Sequence, residues 1–178
     1  MIILGIDPGS VRTGWGIISS EKGKLKLLDA GAITFKAGLP MSQRLHAIYT
    51  GLQKKIHEYR PDELAIETAF FGKNVQSALK LGYARGVAIV AAVNKGLAVY
   101  EYSPREVKKS VTGNGAAAKE QVAFMVKTIL NIKNKPMTPD AADALGIALC
   151  HSFRKTETAG APKNWSDFIK KNPGRVIE

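Results

Sequence analysis

Four acidic residues stand where carboxylates could hold metal ions. Asp7 closes the apolar run IILGID (2–7), Glu67 closes ELAIE (63–67), and Asp140 and Asp143 lie three apart in TPDAADAL. That spacing puts both Asp side chains on one helix face, in its first turn, near the positive end of the helix dipole. Taken alone, the pair is also ordinary helix-start chemistry. What adds weight is Asp7 and Glu67, because a carboxylate ending a buried strand is costly without a partner. If the two strands are parallel neighbours, both acids sit beyond their carboxyl ends, where open sheets gather their sites. Four carboxylates in one cleft repel each other unless protons or cations neutralise them, and hard oxygen donors suit Mg²⁺, with Mn²⁺ as a substitute. Two such ions about 3.5–4 Å apart can grip a phosphate, one activating water and the other stabilising the departing oxygen of an in-line displacement. The glycine-rich bend after Asp7, PGSVRTGWG, is expected to keep bulky side chains away from that phosphate.

Several elements must position these acids. IILGID, GWGIIS (14–19) and LKLLDAGAITF (25–35) read as three β-strands joined by tight turns, an antiparallel meander. Leu45, Ile48, Tyr49, Leu52, Ile56 and Tyr59 recur at helical spacing and stop before Pro61. ELAIE is a short fourth strand. A second helix over about 74–95 carries Ala78, Gly82 and Gly86 four apart and is apolar on nearly every side, so it should be covered on two faces, by its own domain or by a second subunit. AVYEYS (98–103) is a fifth strand, and SPRE (103–106) supplies a cap Ser, a Pro at the first helical position and a Glu for a capping box. A further helix starts near Ala118 and a last one runs from Thr138 and Pro139 to about Phe153. The order βββαβαβααα predicts an α/β fold with a mixed five-stranded sheet. Residues 1–154 form the expected domain, and 155–178, rich in Lys, Pro and Gly, a basic and loosely ordered tail.

The charge fits a polyanionic partner. The chain of 178 residues has 26 Lys and Arg against 15 Asp and Glu, a net +11, and most of the excess lies before residue 151. Nucleic acid is the leading partner and an anionic membrane surface the second. The most apolar stretch, GVAIVAAV (86–93), is too short to span a bilayer. The N-terminus lacks a secretory signal pattern, and the single Cys150 has no disulfide partner, so a cytoplasmic location is expected. Cys150 reads as inert core; His46, His57 and His151 show no ligand spacing and read as surface or half-buried. An acidic centre within a basic body matches the demands of cutting a phosphodiester backbone.

Five blocks make the pattern more specific: GIDPGSVRTGWG, AIE at 65–67, FGKNVQSALKLGYARGVAIVAAV, REVKKSVTGNGAAAKEQV and DAADALGIAL. In this order and spacing, over residues 2–153, they resemble the RuvC family of Holliday junction resolvases. The resemblance implies an RNase H-like fold, a homodimer, and Mg²⁺-dependent paired nicks in like-polarity strands of four-way junction DNA, with two ions per site. It also implies cooperation with a branch-migration complex of RuvA and RuvB type. The family's catalytic, metal-binding acids match Asp7, Glu67, Asp140 and Asp143, and its lysines near the scissile phosphate match Lys108 and Lys119. On the sequence alone, Lys108 reads first as part of a solvated helix face with Lys109, and Lys119 as first-turn solubility. Phe70 matches the aromatic that wedges into the junction, and Phe71 is a second aromatic beside it. Both could instead pack under a loop, but neighbouring Lys73 and Asn74 suit contact with unstacked nucleotides.

Other functions share parts of this signature. A DxG turn after a first strand also opens the ATP-binding actin and sugar-kinase architecture, but that needs two such domains and this chain has one copy of the motif. A related nuclease for RNA or RNA–DNA hybrids would share the metal site and differ in the groove. A DNA-binding module without catalysis would not need all four carboxylates.

Overall fold

The computed structural model describes residues 1–36, 38–68, 75–133 and 136–160, with side chains through 155. Five strands form one sheet: β1 (Ile2–Asp7), β2 (Arg12–Glu21), β3 (Lys24–Thr34), β4 (Glu63–Glu67) and β5 (Ala98–Tyr102). Their spatial order is β3-β2-β1-β4-β5. The first three pair antiparallel, whereas β4 runs parallel to β1 and β5 parallel to β4. This is the mixed sheet expected of an RNase H-like domain.

Helices cover both faces because β1 is apolar on both. Ile3 faces one core and Leu4 and Ile6 the other, all fully buried. Against Leu4 and Ile6 pack α1 (Met41–Tyr59) through Ile48, Leu52 and Ile56, and α2 (Val75–Val93) through Ala84, Ala88, Ala91 and Ala92. The three- and four-residue spacing of these buried positions puts each set on one helix face. The first helix stops at Arg60, whose left-handed φ of 46° ends the turn just before Pro61. On the other face lie α3 (Pro104–Thr112), α4 (Lys119–Ile129) and α5 (Pro139–Gly160), meeting Ile3, Ile18 and Ala65 through Val107, Val122, Val126, Leu145 and Leu149. Ser103 and Glu106 close the expected capping box on α3.

One expectation changes and one narrows. The last helix does not stop near Phe153 but continues to Gly160, since no Pro or Gly interrupts 153–159. Among the described residues, the second helix is covered by its own domain on one face only, which leaves a second subunit as the other expected cover: Val75, Leu79, Tyr83, Val90 and Val93 are exposed, and a Cβ added at Gly82 or Gly86 would meet nothing within 4 Å. Among the described residues, Gly82 and Gly86 of the small-residue stripe therefore face open space. Among the described residues, no helix is long and apolar enough to cross a membrane.

Candidate active site

Register puts the first two acids side by side. Ile6 of β1 faces Ile66 of β4 in the parallel ladder, so the residues that follow, Asp7 and Glu67, emerge together at the carboxyl end of the sheet. Thr68 then donates its N–H to the Tyr102 carbonyl at 2.9 Å, tying the end of β4 to β5.

Helix α5 brings the other two. Its start is capped by Thr138, whose Oγ1 accepts from the Ala141 N–H at 3.3 Å. What lets this helix lie against the sheet is glycine. A Cβ on Gly14, the β2 residue paired with Asp7, would collide with the Asp140 carbonyl, and one on Gly5 would collide with the Ala144 carbonyl. Gly14, inside the bend expected to keep space for a phosphate, and Gly5 before it thus make room for α5. The bend is closed within itself: the Thr13 Oγ1 hydroxyl donates to the Gly9 carbonyl at 2.9 Å, and Gly9 packs on the Arg12 carbonyl.

Asp7, Glu67 and Asp143 line one cleft of about 270 Å³, together with Lys108 and Lys119. Asp140 faces an adjoining depression beside Gly9 and Arg12, with the Arg12 guanidinium 3.8 Å from its carboxylate. Three of the four predicted acids therefore share a cleft and the fourth stands at its margin. Among the described residues, no three acidic or His or Cys side chains are close enough as they stand to hold one ion. Lys119 reaches over from the first turn of α4 and donates to Asp143 at 3.0 Å. Lys108, half-buried on α3, lines the same cleft. Phe70, Phe71, Lys73 and Asn74 lie outside the described residues.

The electrostatics are those of an anionic pocket short of positive charge. Burial, then the carboxylates of Glu67, Asp143 and Asp140, pushes Asp7 from its ordinary 3.8 up to about 7, with Lys119 pulling the other way. Glu67 is raised too, by burial and then Asp143, and is opposed by Lys119 and Lys108. Lys119 is itself raised, chiefly by its hydrogen bond to Asp143. Acids held partly protonated by burial and mutual repulsion are a donor set that a divalent cation relieves. The residues present fit such an ion. Bringing three of them around one ion would require side-chain rotation.

Sequence reasoning missed a buried polar line. His151, read as surface or half-buried, is fully buried on α5 between Tyr102 and Glu63. Its register on α5 is 11 residues from Asp140, about three turns, and that was the available signal. Cys150 is buried and His46 and His57 are exposed.

Comparison with known proteins agrees with this architecture. A family model described as crossover junction endodeoxyribonuclease RuvC matches residues 3–151. A relative of that description from Chloroherpeton thalassium is 46% identical over 186 residues and covers 100% of both chains. One from Marinobacter nauticus is 55% identical over 151 residues, covering 85% of each. Among solved structures, T. thermophilus RuvC in complex with Holliday junction substrate superposes with a TM-score of 0.83 at 37% identity, over 89% of this chain and 96% of that one. A yeast mitochondrial Holliday junction resolvase shares the fold at 13% identity with a TM-score of 0.66, over 95% of this chain and 83% of that one. The matched blocks span both strand-end acids, both α5 acids and the two cleft lysines, and the chain belongs to the crossover junction endodeoxyribonuclease RuvC family.

Proposed function

We propose that this chain is a Mg²⁺-dependent endonuclease that resolves four-way DNA junctions by paired hydrolytic nicks in strands of like polarity, leaving 5′-phosphate and 3′-hydroxyl ends. The observation that carries the reading is the cleft itself: Asp7, Glu67 and Asp143 converge from β1, β4 and α5, flanked by Lys108 and Lys119. Asp7, Glu67, Asp143 and, from the margin, Asp140 would hold two divalent ions. Bound there, such ions supply an activated water and charge stabilisation for an in-line displacement at phosphorus. Lys108 and Lys119 are placed to receive a phosphate at the same mouth, and the net +11 charge supplies salt-dependent affinity for the duplex arms. Phe70 and Phe71, with Lys73 and Asn74, are assigned to nucleotides unstacked at the junction centre. Residues 1–154 are assigned as the nuclease unit and 155–178 as a basic tail, the start of which continues α5, with Lys155 paired to Glu63.

A paired cut needs two sites. The exposed face of α2, with Leu79 53% and Tyr83 52% exposed around open Gly82 and Gly86, is the seam we assign to the homodimer. Two clefts related by a two-fold axis match a two-fold junction. The same reading places the protein in the cytoplasm, working with a RuvA and RuvB type branch-migration complex.

The test is to incubate purified protein with a mobile four-way junction, a linear duplex and an RNA–DNA hybrid, each in Mg²⁺ or in EDTA. Cutting confined to the junction and to Mg²⁺ is expected. Preference for the hybrid would transfer the protein to the ribonuclease reading, and cutting in EDTA would remove the metal from the mechanism.

A further inference from the structure

We infer that Tyr102, His151 and Glu63 form a positioning line that fixes helix α5, and with it Asp140 and Asp143, against the strand ends that carry Asp7 and Glu67. The inference rests on the nuclease reading of those four acids. It concerns none of them directly. Tyr102 Oη lies 2.6 Å from His151 Nδ1, and His151 Nε2 lies 2.6 Å from Glu63 Oε2. Lys155, one turn further along α5, pairs with the other Glu63 oxygen, and the Tyr100 ring stacks on the imidazole at 4.6 Å.

The protonation pattern gives the line a direction. Burial pushes Glu63 up, but its bonds to Lys155 and His151 outweigh that and leave it below its ordinary value, hence ionised. Burial pushes His151 down, so its imidazole is neutral, and burial pushes Tyr102 up to about 12, so its hydroxyl keeps its proton. Nε2–H therefore donates to Glu63, which leaves Nδ1 to accept from the Tyr102 hydroxyl. Among the described residues, every buried side-chain polar atom has a partner.

Such a line is an expensive way to fill a core, since well-packed apolar side chains of similar size cost less to bury. What it adds is a fixed alignment. Apolar packing is non-directional, whereas two short hydrogen bonds to different strands fix the position of α5 along its axis. Tyr102 is the joint. Its hydroxyl holds α5 while its carbonyl holds the N–H of Thr68, the residue after Glu67. Asp140 lies three turns before His151 on nearly the same helix face, so a shift at one end of α5 is delivered to the other.

Tyr102→Phe removes the hydroxyl and keeps the ring, so it tests the line without emptying the core. Cleavage of a mobile four-way junction, Mg²⁺ titration, junction affinity in EDTA and amide exchange in 140–144 would be compared with the wild type. The expected result is a kcat lower by about tenfold or more, the scale of a sub-ångström misplacement of catalytic groups. A raised Mg²⁺ half-saturation, unchanged junction affinity and faster exchange at the start of α5 should accompany it. His151→Asn, which keeps an acceptor near the Nδ1 position, should recover activity over His151→Ala. A lower melting temperature with wild-type kcat and Mg²⁺ dependence would reduce the line to bulk stability and overturn the proposal. Wild-type protein that cuts no junction would overturn the nuclease reading as well, and so tell the two failures apart.

Discussion

Replacing Asp7 by Asn should stabilise the metal-free protein while abolishing cleavage. The magnitude follows from the site. Asp7 is raised from 3.8 to about 7 by burial and by its acidic neighbours, which at 1.36 kcal/mol per pKa unit corresponds to about 4 kcal/mol of unfavourable ionisation. Side-chain relaxation and sharing of the repulsion with Glu67 reduce this, so about 2–4 kcal/mol is the expected gain. The sign is fixed by linkage. The unfolded Asp ionises near 3.8 and the folded one near 7, so the native state binds more protons between these values and loses stability as pH rises through that window. Asn carries no such loss. Denaturant unfolding in EDTA should therefore show Asp7→Asn more stable than wild type at pH 8, with the gap closing toward pH 4. Mg²⁺ should narrow the gap at pH 8 by stabilising only the wild type. Junction affinity in EDTA should survive, since the basic surface is untouched. An Asp7→Asn protein less stable than wild type at pH 8 in EDTA, or one that no longer binds the junction, would refute the reasoning and make Asp7 a structural residue.

Other perturbations test separate parts of the site. At subsaturating Mg²⁺, wild-type cleavage should rise with pH through about 7, because Asp7 must lose its proton to act as a ligand, and a pH–rate profile flat from 5 to 8 would contradict this. Lys119→Ala removes the charge that lowers both Asp7 and Glu67, so the midpoint of that profile should move to higher pH while kcat falls. Gly14→Val forces a side chain into the Asp140 carbonyl, and should cost about 1–3 kcal/mol in denaturant unfolding and about 10²-fold in kcat as α5 is displaced. Leu79→Asp, at a position 53% exposed on the open face of α2, should give a monomer in sedimentation velocity that folds normally but no longer makes paired nicks.

Much of this architecture is legible in local pattern. Strands ending in Asp7 and Glu67, the capping box at Ser103 and Glu106, and the two acids of α5 are read from residues close in sequence, and the structure assembles them in the expected order. The departures are long-range. Whether Gly14 serves a ligand or a helix depends on what arrives from residue 140, and only the packed structure shows the Asp140 carbonyl against it. His151 looks solitary because Tyr102 and Glu63 lie 49 and 88 residues away. Which face of α2 stays open depends on where α1 and the sheet lie: the alanine face packs in their core, and the Gly82 and Gly86 face is left over. The end of α5 differs for a local reason: the sequence turns polar and charged after Phe153, but no Pro or Gly stops the helix before Gly160.

The central claim is that acids from β1, β4 and α5 act together as ligands to divalent ions. Crystals soaked in Mn²⁺ test it most directly, through the anomalous signal of the ion. The account predicts two peaks about 3.5–4 Å apart, ligated by Asp7, Glu67, Asp140 and Asp143, with Lys119 withdrawn from Asp143. Density at these carboxylates with no ion, or ions bound elsewhere while the crystals still cut DNA, would contradict it.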